Sequence, residues 1–197
     1  MIRLGLTGSI GMGKSTAARL FADEGAPVFD ADAAVHLLQG PEGALVAEIE
    51  RHFPGTTGRE GVIRGALAER VLAEPEAMRK LESLVHPAVA REREAFLAAH
   101  AEAPVVVLDI PLLFEARGWS AVDKIAVVSA PADVQRQRVL GRPGMTAEKF
   151  ERILARQMPD SEKRARADFI ISTAGPIEET RQAVRRILAC LAPRPDS

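Results

Sequence analysis

Short apolar runs alternate with stretches in which apolar residues recur every three or four positions. Five runs read as strands: Ile2 to Leu6 (Arg3 excepted), Ala26 to Phe29, Pro104 to Asp109, Lys124 to Val128 and Asp168 to Ser172. Val105-Val106-Val107-Leu108 is the clearest, continuously apolar and β-branched as a central parallel strand should be. Between the first two runs, Ala17 to Ala22 suits a helix and Gly25 suits its stop. After the second, Ala33 to Gln39 is helical in pattern. From Gly40 to His100 the strand signal disappears. Leu45 to Phe53, then Leu67, Val71 and Leu72, then Met78, Leu81, Leu84 and Val85, then Val89, Phe96 and Leu97 keep helical spacing. A polar turn is expected at Pro54 to Gly58. A break is expected at His86, because Pro87 disfavours helical geometry in the residue before it. Pro131 is placed as a first-turn proline, and two helical segments follow, split by Gly141-Arg142-Pro143-Gly144. Val184, Ile187, Leu188 and Leu191 form the buried stripe of a last helix; Pro193 to Ser197 reads as frayed.

Strand, loop, helix, strand makes an α/β fold with a five-stranded parallel sheet. The 197 residues suffice for one good core and a smaller appendage. A net charge of −1 and the absence of tyrosine argue against a nucleic-acid binder, which needs a basic excess or stacking platforms. Cys190 is read as a small core residue on the last helix. Neither a secretory leader nor an apolar run of membrane-spanning length is present in the sequence, so a cytoplasmic protein without membrane association is expected.

Candidate chemistry begins where the first strand ends. Gly8-Ser9-Ile10-Gly11-Met12-Gly13-Lys14-Ser15 reads G-x-x-x-x-G-K-S, between a strand and a helix as a phosphate-cradling loop must be. Its glycines let the backbone approach a ligand, and successive N–H groups with the helix N-terminus face a bound anion. Lys14 adds a mobile charge for the outer phosphates of a nucleoside triphosphate, and Ser15 offers a hydroxyl to Mg²⁺.

Ligands of open parallel sheets bind beyond the carboxyl ends of the strands. Asp30 and Asp32 stand at that rim, with both carboxylates on one side if the segment is still extended. Asp32 is either a catalytic base or a cap for a helix starting at Ala33, or both. Asp109 is either a Walker B carboxylate for Mg²⁺ or an ordinary strand end. The apolar Ile110 to Phe114 either plugs the core or walls an acceptor pocket, with Trp119 packing nearby. Arg64 is a phosphate clamp or a surface charge. From Pro131 to Asp168 there are nine Lys/Arg against six Asp/Glu. Arg138 and Arg142 share a face if the helix reaches that far, and Arg152 and Arg156 repeat the spacing. These fit either a solvated hairpin or a lid whose arginines close over the triphosphate. A GTP-dependent switch is excluded, since the chain has neither Asn-Lys-x-Asp nor Asp-x-x-Gly.

With these residues in view the chain resembles the dephospho-CoA kinase family over nearly its whole length. The resemblance is carried by Gly8 to Thr16, Asp30-Ala31-Asp32, Arg64 with Leu67, and Leu81-Glu82-Ser83-Leu84-Val85-His86-Pro87. It continues in Asp109-Ile110-Pro111-Leu112-Leu113-Phe114-Glu115, Gln135 with Arg138 and Arg142, Arg152 with Gln157, and Ala167 to Ile171. Only the loop is specific alone; the order and spacing together are. Ser9 and Met12 depart from the family's loop, Pro143 follows Arg142 where an acidic residue is common, and Thr173 stands where Asn is common.

The resemblance implies a three-layer αβα P-loop fold in three parts. These are a nucleotide-binding core (1–40, 101–130 and 167–197), a helical acceptor domain (41–100) and a lid (131–166). It implies phosphorylation by ATP, with Mg²⁺, of the ribose 3′-hydroxyl of dephospho-CoA, the last step of coenzyme A synthesis. The alternative is another small-molecule or nucleotide kinase of the same architecture. Asp32 would take the hydroxyl proton, while Lys14, Arg138 and Arg142 stabilise the transferring group. Gly8, Gly11, Met12, Gly13, Lys14, Ser15 and Thr16 would bind ATP. Asp30, Asp32, Arg64, His86, Pro111, Leu112 and Phe114 would bind the acceptor. Ser15 would hold the metal, with Asp109 a second candidate. No obligate protein partner is expected.

Overall fold

The computed structural model describes residues 1–115 and 121–192. Trp119 and the segment Pro193 to Ser197 lie outside the described residues, and so do the expectations attached to them. Two compact units are present: residues 1–29 with 100–197, and residues 30–99.

The first unit is built on five parallel strands, β1 (Ile2–Thr7), β2 (Val28–Asp30), β5 (Val105–Asp109), β6 (Lys124–Ser129) and β7 (Phe169–Ser172), in the order β2-β5-β1-β6-β7. β1 pairs on one side with β5 (Leu4 opposite Val107) and on the other with β6 (Leu6 opposite Ala126). Leu4, Leu6, Val105, Val107, Ala126, Val128 and Ile171 form one cluster. It also takes in Leu20 and Phe21 of α1 (Lys14–Asp23) and Val184, Ile187 and Leu191 of α9 (Ile177–Leu191). Their sheet neighbours Val106, Leu108 and Val127 alternate to the opposite face and are fully buried too. Burial on both faces is why these strands read as unbroken apolar runs. The chain leaves β1 for one side of the sheet and later returns to its other side, so the end of β1 is the topological switch point, where such sheets bind ligands.

Residues 131–168 hold three helices rather than two: α6 (Ala132–Leu140), α7 (Ala147–Leu154) and α8 (Asp160–Ala165). Thr146 caps α7 by accepting from the Lys149 N–H. Pro131 precedes α6 with extended ψ (148°), as its cap rather than its first residue. Cys190 is exposed, correcting its reading as core: Ile187 and Leu191 are buried, and Cys190 falls just off their stripe.

In the second unit, α2 (Ala31–Leu38), α3 (Val46–His52), α4 (Arg64–Leu72) and α5 (Pro75–Ala99) surround Leu38, Leu45, Ile49, Phe53, Leu67, Val71 and Ala88. Three expectations are corrected here. The polar turn opens a small antiparallel hairpin, β3 (Thr57–Gly58) with β4 (Gly61–Val62), so this region is not strand-free. Its two-residue strands are too short to leave a periodic signal. Helix α5 runs unbroken through His86 and Pro87 for 25 residues. Packing of Leu81, Leu84, Val85, Ala88 and Val89 on the unit's core outweighs the local cost of the proline. Finally, α2 begins at Ala31, not Ala33, with Asp30 as its cap: Oδ1 accepts from the Ala33 N–H at 2.9 Å. The segment is therefore not extended at Asp32, and the two carboxylates do not share a side by strand spacing.

Candidate active site

The phosphate-type loop is shaped by two left-handed residues, Gly11 (φ 78°) and Gly13 (φ 88°), and Gly13 opens α1. At Gly11 a Cβ would stand 2.4 Å from Val139 Cγ2, so glycine is required by conformation and by space together. The first N–H groups of α1 have no partner in the helix's own ladder and make the loop an anion seat.

Three side chains and one backbone N–H from elsewhere in the chain hold this loop. Gln135 of α6, 5% exposed, donates its amide to the Ile10 carbonyl at 2.7 Å, and Gln157, between α7 and α8, accepts from the Ile10 N–H at 3.1 Å. The Ala130 N–H lies 3.1 Å from the buried Met12 Sδ, and the Thr173 hydroxyl donates to the Met12 carbonyl at 2.7 Å. Met12 thus helps position the loop from within. Ser9 is also buried, and its hydroxyl has no hydrogen-bond partner.

Lys14 reaches across to β5, where its ammonium pairs with Asp109 Oδ1 at 2.5 Å. Asp109 is 3% exposed. Asp109 is thus a strand-end carboxylate at the rim, beside the loop lysine.

Arg138 is brought in by α6. Its guanidinium donates to Thr173 Oγ1 (3.0 Å) and to the Thr173 carbonyl (2.6 Å). Arg142 lies beyond the end of α6, so helical register does not set its direction. Both arginines nevertheless line one cleft of about 360 Å³ with Gly11, Gly13, Thr16, Thr173, Gly175, Ile177 and Thr180. Both side chains are also exposed, so they face this cleft and solvent alike. Arg152 and Arg156 are exposed and do not line the cleft.

In the segment after β5 the core-plug reading holds for two residues. Leu113 and Phe114 are buried and plug the core, Leu112 is 45% exposed, and the half-buried Pro111 accepts from the Thr7 hydroxyl at 3.0 Å. Phe114 is thus a backing residue, not a surface one. Glu115 ends the segment. Burial works to raise its pKa, but the fully buried Lys163 ammonium at 2.8 Å and the Met158 N–H at 2.9 Å outweigh that and hold it below the usual range.

In the second unit, Asp30 is committed to its cap, Asp32 is exposed in the first turn of α2, Arg64 is exposed at the start of α4, and His86 is exposed in mid-α5. Because Asp30 does the capping, the cap alternative for Asp32 falls away. The sequence marked Gln135, Gln157 and Thr173 only through the family resemblance, with no bond to the loop foreseen for them, and it did not mark Lys163 at all. A polar residue that bonds to a distant backbone carries no spacing signal.

A family model for dephospho-CoA kinase matches residues 2–179. A Novosphingobium aromaticivorans protein named dephospho-CoA kinase is 58% identical over 188 residues, covering 95% of this chain and 94% of that one. One of that name from Cereibacter sphaeroides is 56% identical over 187 residues, covering 95% and 94%. The crystal structure of TT1252 from Thermus thermophilus superposes with a TM-score of 0.85 at 37% identity, covering 98% of each chain.

Proposed function

The chain belongs to the dephospho-CoA kinase family, and we propose a division of labour among its residues for that reaction. The reaction is ATP-dependent phosphorylation of dephospho-CoA, at the ribose 3′-hydroxyl, to give coenzyme A. The observation that carries the assignment of residues is the cleft shared by Gly11, Gly13 and Thr16 with Arg138 and Arg142.

Gly8, Gly11, Met12, Gly13, Lys14, Ser15 and Thr16 hold the triphosphate, largely through backbone N–H groups. Lys14, Arg138 and Arg142 neutralise charge that spreads over the transferring group, the largest contribution a kinase makes beyond alignment. Asp32 accepts the proton of the attacking hydroxyl and aims its oxygen in line. Its support is chemical: an exposed carboxylate at the start of a helix, freed from capping by Asp30. Arg64, His86, Asp30, Pro111 and Leu112 seat the acceptor, with Phe114 backing the wall. The working parts are the core (1–40, 101–130, 167–197), the acceptor domain (41–100) and the lid (131–166), whose arginines close over the phosphates.

The donor set fits Mg²⁺. Ser15 and Asp109 offer hard oxygen atoms beside Lys14, and no group of three or more His, Cys, Asp or Glu suited to a metal exists among the described residues. Mg²⁺ suits such a site, since it keeps waters and phosphate oxygens in place of a full protein cage. When bound it would draw charge from the β- and γ-phosphates. We take the setting to be the cytoplasm, where the ATP pool is, with no second protein required.

The test is ADP release over an acceptor panel. Dephospho-CoA should turn over and AMP and shikimate should not; the opposite result overturns the acceptor assignment. Asp32→Asn should lower kcat by ~10²–10⁴-fold with nucleotide affinity nearly unchanged. Full turnover in that variant, or loss of ATP binding, removes Asp32 from the role of base.

A further inference from the structure

We propose that Thr173 is a positioning residue that aims Arg138 into the phosphate cleft and ties that aim to the shape of the loop. This rests on the reading above, in which Arg138 serves the transferring phosphate.

The hydrogen-bond directions are forced. A guanidinium has donors only, so the 3.0 Å contact between Arg138 and Thr173 Oγ1 has the hydroxyl as acceptor. The hydroxyl carries one proton, and it goes to the Met12 carbonyl at 2.7 Å. Arg138 therefore donates to Thr173 and Thr173 to the loop, while the Thr173 carbonyl takes the second arm of the fork at 2.6 Å. A planar fork held at two points is fixed in direction as well as in place. The same side chain closes against the opening of α1: a Cβ on Gly13 would meet its Oγ1, Cβ and Cγ2 atoms at 3.1–3.3 Å. Thr173 is itself buried, 6% exposed, so its hydroxyl is held among these partners. One buried hydroxyl thus joins a loop carbonyl to a charge on another helix, and a shift of the loop is passed to the arginine. No contact of Thr173 with the reacting atoms is needed.

Four variants test this in steady-state assays with saturating ATP and dephospho-CoA. Thr173→Val keeps the shape and removes both hydroxyl bonds, leaving Arg138 only its bond to the backbone carbonyl; kcat should fall about tenfold or more, with KM for dephospho-CoA within about twofold. Thr173→Ser restores the hydroxyl and should return kcat to within about threefold of the parent. In an Arg138→Met background, Thr173→Val should cost less than about threefold further, because it has no arginine left to aim. Arg138→Lys, at an exposed position where folding is not at stake, should lose nearly as much as Arg138→Met, since an ammonium on a flexible stem has no planar fork for the two acceptors to fix in direction. Parental kcat in Thr173→Val or Arg138→Lys, or an equal fold-loss from Thr173→Val with and without Arg138, overturns the proposal. If Thr173→Val is too unstable to assay by thermal melting, the Arg138→Lys result decides alone. Parental kcat in Arg138→Met would overturn the phosphate role of Arg138 itself, an outcome distinct from loss of coupling.

Discussion

Glu115 and Lys163 form the pair whose removal should be most asymmetric. The Lys163 side chain is fully buried, and that of Glu115 is 17% exposed with the Met158 N–H as a second partner. Glu115→Gln leaves an ammonium in the interior with no opposing charge, a class of change costing ~3–5 kcal/mol. Lys163→Met leaves a carboxylate that still accepts a backbone N–H and reaches solvent, so a loss of ~1–3 kcal/mol is expected. The double variant buries an apolar chain against a neutral amide and should lie near Lys163→Met, well short of the sum. For a chain of this size, 1 kcal/mol corresponds to about 2–4 °C in Tm. Glu115→Gln should then melt roughly 6–20 °C lower, and adding Lys163→Met should recover part of that. Calorimetry with matched urea titrations measures all three. Equal losses in the two single variants, or an additive double variant, would falsify the claim that burial of the ammonium sets the energy.

Two further predictions concern the same unit. Gly11→Ala should destabilise by ~1–2 kcal/mol from its left-handed backbone and a further ~1–3 kcal/mol from steric conflict, chiefly with Val139; in a Val139→Ala background the second part should shrink, the approach to the Gln135 carbonyl at 3.1 Å remaining, and an unchanged loss in urea melts would refute the steric account. Asp123 bonds to the Arg3 side chain (2.6 and 3.0 Å) and N–H (2.8 Å), and these contacts lower its pKa from 3.8 to about 2 against an opposing effect of burial. With a depressed folded pKa, its contribution is complete above about pH 4 and lost as pH falls toward 2. Because both side chains are more than a third exposed, the effect should stay below ~1 kcal/mol, and Asp123→Asn should flatten the stability–pH curve only in that window.

The core was legible because its signals are local. Five apolar runs became five strands, and the helix expected over Ala17 to Ala22 is there, although α1 begins earlier, at Lys14 inside the loop motif. What the sequence did not disclose was settled by packing at a distance. Pro87 sits in a continuous helix because α5 is held along its apolar face, so a local breaker lost to a tertiary gain. Asp32 reads as the cap of a helix starting at Ala33, and only the start of α2 at Ala31 hands that role to Asp30. Cys190 lies three residues after buried Ile187 and next to buried Leu191, so helical spacing alone does not separate it from the stripe.

The loop's supports show why a motif under-describes a site. Gly11 and Gly13 permit the anion-cradling backbone, yet permission is not stability, since glycine also loses the most freedom on folding. Here the conformation is held from outside: Gln135 and Gln157 bind the two polar groups of Ile10, and Thr173 binds the Met12 carbonyl. Three of these bonds come from residues far along the chain, two of them in the segment we take as the lid. Adjacent to Gln157, the Met158 N–H is itself held by Glu115, which is paired with buried Lys163. A chain of contacts therefore runs from a buried ion pair, through the turn before α8, to the apex of the loop. Loosening that pair should disturb the loop as well as the fold. At temperatures below its melt, Glu115→Gln should accordingly lose affinity for ATP while Asp123→Asn, whose ion pair is separate from this chain, should not.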